Sequence, residues 1–236
     1  MTDALYLKDC YLQEFVAKVI SLVSEKEIIL DETAFYPTGG GQPCDIGKVS
    51  TQTNNYEVIS VEKRDEEIIH HVDKEGLKVG DLIKGEINWQ RRYALMRMHT
   101  ATHLLCHSIN QDNGALITGN QLGEEQTRVD LSLENLDKEK IKDYFLKTNE
   151  IILQNKEVKI SFLSKQEAEK LSKLANADYE DFEFLRIIEI EGVEMQPCGG
   201  CHVKNTGEIK GIEVVSLENK GKGRKRVYFK LKEGIK

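Results

Sequence analysis

The chain has 236 residues, with 33 Lys and Arg against 40 Asp and Glu, a net charge of −7, 39% hydrophobic and 31% charged residues. This is the composition of a soluble globular protein with one large or two modest cores, and its acidity argues against generic nucleic-acid affinity. No apolar run reaches the ~18 residues of a membrane helix, Met1-Thr2-Asp3 opens no basic, apolar export signal, and five cysteines suit reduced thiols rather than a disulfide framework, so a cytoplasmic address is expected.

Residues 1 to about 88 read as all-β. Strand-like runs fall at 15–23, 26–31, 56–60, 67–72 and 82–87, separated by turn residues, which predicts a small closed barrel. His70 and His71 point to opposite faces of one strand and so serve no common site. The loop Phe35-Tyr36-Pro37-Thr38-Gly39-Gly40-Gly41-Gln42-Pro43 is unusual. Three consecutive glycines cost backbone entropy. They suit either a tight hairpin or bulge, or a bare backbone that approaches a ligand or another domain, and the bracing aromatics and prolines favour the second. Thr38, Gly39, Gly40 and Gly41 are therefore candidate substrate contacts. No Gly-Lys-Ser/Thr follows, so this is not a phosphate-binding P-loop.

Asn88 can cap a helix starting near Trp89, and a domain boundary is placed there, giving domains 1–88 and 89–236. Trp89, Ala94, Leu95, Met98, Ala101, Leu104, Leu105 and Ile109 recur at helical spacing. His99 and His103 then lie on one face, where two imidazoles can approach one metal ion. They can equally belong to a solvated polar face, a row that His107 continues. Two strands follow, at 114–123 and 127–133. Asp137 caps a helix to about Asn155, Val158 to Leu163 is a strand, and Ser164-x-x-Glu167 opens a short helix to about Leu174. Strands at 184–190, 211–217 and 227–231 complete an α+β fold, in which the barrel precedes a two-layer α/β sandwich.

Gln196-Pro197-Cys198-Gly199-Gly200-Cys201-His202 places a thiol and an imidazole four residues apart. Cys198 and His202 would complete a set of one thiolate and three imidazoles, which zinc accepts. Buried apolar cysteines or a CxxC redox pair are the ordinary alternatives. Neither requires a neighbouring histidine or a distant HxxxH, so the combination favours zinc. Cys201 in place of His202 stays open as the fourth ligand. The chain's last stretch is basic: Lys220, Lys222, Arg224, Lys225, Arg226, Lys230, Lys232 and Lys236 stand against Glu233 alone. Arg91, Arg92 and Arg97 form a second knot. Either can be a solvated surface, or together they can neutralise phosphates.

Three ordered motifs carry a resemblance: His99-Thr-Ala-Thr-His103-Leu-Leu, Cys198-Gly-Gly-Cys-His202-Val and Phe35-Tyr-Pro-Thr-Gly-Gly-Gly-Gln-Pro. The chain resembles the editing domain of alanyl-tRNA synthetase and, lacking an aminoacylation domain, its free-standing AlaX type in the medium-length form. The resemblance implies hydrolysis of mischarged tRNA(Ala), chiefly seryl-tRNA(Ala) and secondarily glycyl-tRNA(Ala). It puts the zinc ligands on His99, His103, Cys198 and His202, and the serine-reading threonine on Thr118. Where the family usually has threonine, this chain has Cys201.

The substrate is an ester, so the reaction is acyl transfer to water. There is no Glu between His99 and His103 of the kind zinc proteases use as base, which leaves water positioning to polar groups such as Gln121 or to a ribose hydroxyl. A buried hydroxyl that must pair with serine would reject alanine. Thr118 suits that role, as do Thr100 and Thr102. The alternative from another class is a non-catalytic RNA-binding module with a structural zinc, in which Lys222, Arg224 and Arg226 supply the phosphate contacts.

Overall fold

Alternation along the first long strand sets the architecture. Phe15, Ala17 and Val19 are buried while Glu14, Val16 and Lys18 between them are exposed, the period of a strand with one face on a core. The computed structural model describes residues 2–133, 137–164, 166–167, 184–221 and 223–232. Its first strands are β1 (Asp3–Ala4), β2 (Glu14–Ser24), β3 (Glu27–Leu30), β4 (Glu32–Thr33), β5 (Gly47–Ser50), β6 (Asn55–Arg64), β7 (Glu67–Val72) and β8 (Leu82–Ile87). Six of them close a barrel in the order β2-β3-β7-β6-β5-β8, and β1 pairs parallel to β4. Gly85 in β8 marks a close approach: a Cβ there would stand 2.3 Å from the Phe15 ring. The barrel was expected from the sequence; the short strands β1, β4 and β5 were not.

The chain divides into two units, Met1–Met96 and Arg97–Lys236, and the division falls inside helix α1 (Trp89–Asn113). Asn88 caps α1, its Oδ1 accepting from the Arg91 N–H at 3.1 Å. Arg92, in the first unit, is fully buried. It pairs with Asp45 and donates to the carbonyls of Cys10 and Ala34. Removing either member of that pair strands a buried charge, at a cost of about 3–5 kcal/mol.

After α1 come β9 (Ile117–Gln121), β10 (Thr127–Leu131), α2 (Lys138–Leu153), β11 (Val158–Ser164), β12 (Phe184–Ile190), β13 (Glu194–Pro197), β14 (Ile212–Asn219) and β15 (Lys225–Leu231). They form two antiparallel sheets, β14-β15-β10-β9 and β11-β12-β13. Asp137 caps α2 through the N–H groups of Glu139 and Lys140. The apolar stripe of α2 buries Ile141, Tyr144, Phe145 and Ile152, each contributing about 1.5–3 kcal/mol. Phe145 meets Phe229 of β15 edge-on, Asn149 exchanges hydrogen bonds with the backbone of Ile212, and Thr148 donates to Ser108 of α1. The α+β class is that expected. The capping box at Ser164 and Glu167 forms, whereas the rest of the short helix expected to about Leu174 lies outside the described residues.

Candidate functional site

Helical spacing on α1 turns His99 and His103 to one side, their ring centroids 5.3 Å apart. The other half of the site comes from the chain leaving β13. The Cys198 N–H donates to the Arg186 carbonyl at 3.1 Å, extending the β12–β13 ladder by one residue. The Arg186 guanidinium, itself buried, donates to the carbonyls of Cys198 and Gly200 and so shapes the turn. Inside that turn the Gly200 N–H points at Cys198 Sγ at 3.4 Å. Neither Gly199 nor Gly200 is among the glycines with a positive φ, so the loop does not depend on a left-handed residue.

These elements bring His99, His103, Cys198 and His202 together, with one donor atom from each within 4.8 Å of the others. Cys198 Sγ lies 3.6 Å from His99 Nε2 and 3.3 Å from His202 Nε2. Four ligands around a tetrahedral zinc, at its usual Zn–S and Zn–N lengths, would place sulfur and nitrogen roughly 3.5 Å apart. The donor set and its spacing fit such an ion. His202, not Cys201, belongs to this group; Cys201 is fully buried.

Electrostatics are those of a thiolate among imidazoles. Burial would raise the Cys198 thiol, but the neighbouring His99 and His202 rings and hydrogen bonds from His103 and His202 bring it well below the usual thiol range. Burial pulls His202 down to about 3, helped by the neighbouring His99 charge. Burial would also lower His103, yet its hydrogen bonds to Cys198 and Glu194 outweigh that and hold it at about 10. His103 Nδ1 meets Glu194 Oε1 at 2.6 Å, and His202 Nδ1 meets Thr100 Oγ1 at 3.1 Å. Glu194 and Arg186 had no signal in the sequence, because their partners lie on other elements.

The remaining candidates are placed as follows. Thr118 and Gln121 are exposed on β9, at the edge of the four-stranded sheet. The β9–β10 register slips beside Thr118, since Asp130 pairs with Gly119 while Leu131 pairs with Ile117. Thr100 accepts from the Val203 N–H as well as facing His202, and Thr102 donates to the Met98 carbonyl, so both hydroxyls are engaged internally. In the glycine-rich loop, Gly39 and Gln42 exchange two backbone hydrogen bonds of 3.0 and 2.9 Å, with Gly40 at φ 58° and Gly41 at φ 82°. Positive φ at both central residues makes this a tight turn, which explains two of the three glycines. Thr38 accepts from the Cys44 N–H, while Gly40 and Gly41 are exposed at the tip.

The basic patches look different in three dimensions. Arg92 is buried, Arg91 donates to the Cys44 carbonyl and Arg97 to the Ile209 carbonyl, so each of the three guanidiniums already holds a group of the fold. Arg226 makes a two-point ion pair with Asp130, and its hydrogen bond to that carboxylate raises its pKa further. Lys230 pairs with Glu213 and Lys220 with Glu218. Arg224 is exposed, and Lys222 lies outside the described residues.

Residues 4–91 match the family model described as tRNA synthetases class II (A), and residues 185–228 match that of the threonyl and alanyl tRNA synthetase second additional domain. The alanyl-tRNA editing protein AlaX-M of Methanosarcina mazei is 49% identical, over 98% of this chain and 97% of that protein. The AlaX-M protein of Saccharolobus solfataricus is 42% identical, over 98% of this chain and all of that one. An alanine–tRNA ligase of Methanococcus vannielii is 37% identical over 97% of this chain, which spans 26% of the ligase. With 42–49% identity over nearly the whole length of both chains, the chain belongs to the AlaX-M family of alanyl-tRNA editing proteins.

Proposed function

We propose that the chain is a trans-editing hydrolase that deacylates mischarged tRNA(Ala), seryl-tRNA(Ala) first and glycyl-tRNA(Ala) second, in the cytoplasm. One observation carries this reading: three imidazoles and a thiol converge to within 4.8 Å in a chain of this family. His99, His103, Cys198 and His202 would hold Zn2+. Zinc, when bound, supplies Lewis-acid polarisation of an ester carbonyl or an anchor for the substrate's amino group. The reaction adds water across the acyl C–O bond, releasing the free amino acid and the hydroxyl of the terminal ribose.

Selection falls to polar groups on β9. The Thr118 hydroxyl, exposed in the free chain, would be covered by the docked aminoacyl group. Serine offers it a partner, whereas alanine leaves it buried and unsatisfied, a difference that can reach ~10⁴-fold in such sites. Gln121, exposed on the same strand, is assigned to orienting the attacking water. For the RNA, the turn of Thr38, Gly39, Gly40 and Gly41 presents the Gly40 and Gly41 backbone at its exposed tip, and Arg224 with Lys222 offers charge. Arg226 already faces Asp130, so its share in phosphate binding is smaller than the sequence suggests.

Burial of the donor set, with His99 at 5% and His202 at 2% exposure, would also suit an RNA-binding module whose zinc is purely structural. Purified protein incubated with seryl-tRNA(Ala) and alanyl-tRNA(Ala) separates the two. Release of serine with alanine left in place supports the editing hydrolase. Binding of both RNAs with no release from either supports the structural module.

A further inference from the structure

We infer that Glu194 is a positioning residue for the metal centre: its carboxylate holds the back nitrogen of His103 so that Nε2 faces the other three donors. This rests on the reading that the cluster holds a metal. The contact is short, His103 Nδ1 to Glu194 Oε1 at 2.6 Å, and the two side chains are only 12% and 6% exposed. Glu194 is itself held in place. Its backbone pairs with Ile190 in the β12–β13 ladder, and its second oxygen accepts from the Gln196 amide at 3.0 Å.

A buried carboxylate is expensive unless it is paired and hydrogen-bonded, and here the two oxygens are spent on the His103 ring and the Gln196 amide. His202 shows the same arrangement with a weaker partner. Its Nδ1 faces Thr100 Oγ1 at 3.1 Å, and its Nε2 lies 3.3 Å from Cys198 Sγ. Two of the three imidazoles thus have the rear nitrogen fixed by a protein group and the front nitrogen turned to the cluster. A carboxylate behind a ligating imidazole fixes its tautomer, sets the ring's orientation and makes it a stronger donor. Since charge-assisted hydrogen bonds are about twice as strong as neutral ones, Glu194 contributes more to the centre than Thr100.

The test is metal binding by the chelator-stripped full chain. Zn2+ is titrated against a chromophoric competitor, and Co2+ is followed by its visible absorption. Glu194→Ala is expected to weaken Zn2+ binding by about 10–100-fold. Glu194→Gln keeps the size and an acceptor but removes the charge, so it is expected to fall between the wild type and Glu194→Ala and to shift the Co2+ bands. Glu194→Gln decides the matter if Glu194→Ala does not fold. Cys198→Ala serves as the control. Wild-type protein that binds no better than Cys198→Ala would sink the metal site itself. Wild-type protein that binds tightly, with Glu194→Gln matching it in affinity and Co2+ spectrum, would overturn the role of Glu194 alone.

Discussion

Two pairs of histidines occur in this chain, and their environments could hardly differ more. His70 and His71 sit side by side on β7. The His70 ring is fully buried and meets Thr33 Oγ1 at 2.8 Å, while His71 reaches the carboxylates of Glu27 and Glu62. His99 and His103 sit four apart on α1, and both turn toward Cys198 and His202. Adjacent residues of a strand are sent to opposite faces, whereas residues four apart on a helix share one. The difference between a pair that separates and a pair that converges is thus first a matter of spacing and secondary structure. It becomes chemical only when a distant thiol joins the helical pair.

The largest effect is expected from breaking the helical pair or its thiol. His103→Ala and Cys198→Ala should each lose bound zinc and drop deacylation to background. Metal analysis of the purified variants checks this, and full zinc in both would refute the ligand assignment.

Breaking the strand pair should change stability and leave the metal alone. Burial lowers the His70 pKa to about 4 from 6.5. Above pH 6.5 the ring is neutral in both folded and unfolded chains, so it adds no pH dependence there. As pH falls from 6.5 toward 4, the unfolded chain takes up a proton that the folded one refuses. Stability therefore drops through that window by up to about 3 kcal/mol and levels off below it. Denaturant unfolding of wild type and His70→Gln between pH 4 and 7.5 should show a smaller acid loss in the variant, with zinc content unchanged. Parallel curves would mean that His70 is not the group that titrates.

Thr118→Val sharpens the comparison at the substrate. Seryl-tRNA(Ala) hydrolysis should lose roughly 1–3 kcal/mol of transition-state stabilisation, while glycyl-tRNA(Ala), which has no hydroxyl, changes little. Equal losses in kcat/KM on the two substrates would reassign Thr118 to general positioning.

Two smaller effects follow. Arg224→Glu should weaken tRNA binding and reduce its salt slope by about 1, whereas Arg226→Glu, which breaks the pair with Asp130, should lower the melting temperature as well. An unaltered slope for Arg224→Glu would leave that residue a solvated surface group. Cys201→Thr should leave zinc content unchanged, since Cys201 stands outside the converging group; loss of zinc would reopen it as a ligand.

What could be read in the sequence depended on whether the signal was local. The alternation of β2, the caps at Asn88 and Asp137 and the spacing of His99 and His103 are all local, and each corresponds to a feature of the fold. The short strands β5 and β13 were missed because Gly47–Ser50 and Glu194–Pro197 lack the apolar run that marks the equally short β3. The charge pattern along the sequence omits partners that come from another strand. The basic run after Lys220 has only Glu233 as an acid in sequence, yet β14 sets Glu213 opposite Lys230, and β10 sets Asp130 opposite Arg226. Arg92 likewise reads as one of a surface cluster but is buried on Asp45, 47 residues earlier. Glu194 was invisible for the same reason, since its partner His103 lies 91 residues away.

The most direct measurement is the rate of serine release from seryl-tRNA(Ala) by chelator-stripped protein as zinc is returned in measured fractions of an equivalent. The expected result is a rate near zero without metal that rises in proportion to occupancy and saturates at about one zinc per chain. Cys198→Ala should stay at background throughout. Full serine release from the metal-free chain, or from Cys198→Ala, would contradict the assignment of His99, His103, Cys198 and His202 as the working centre.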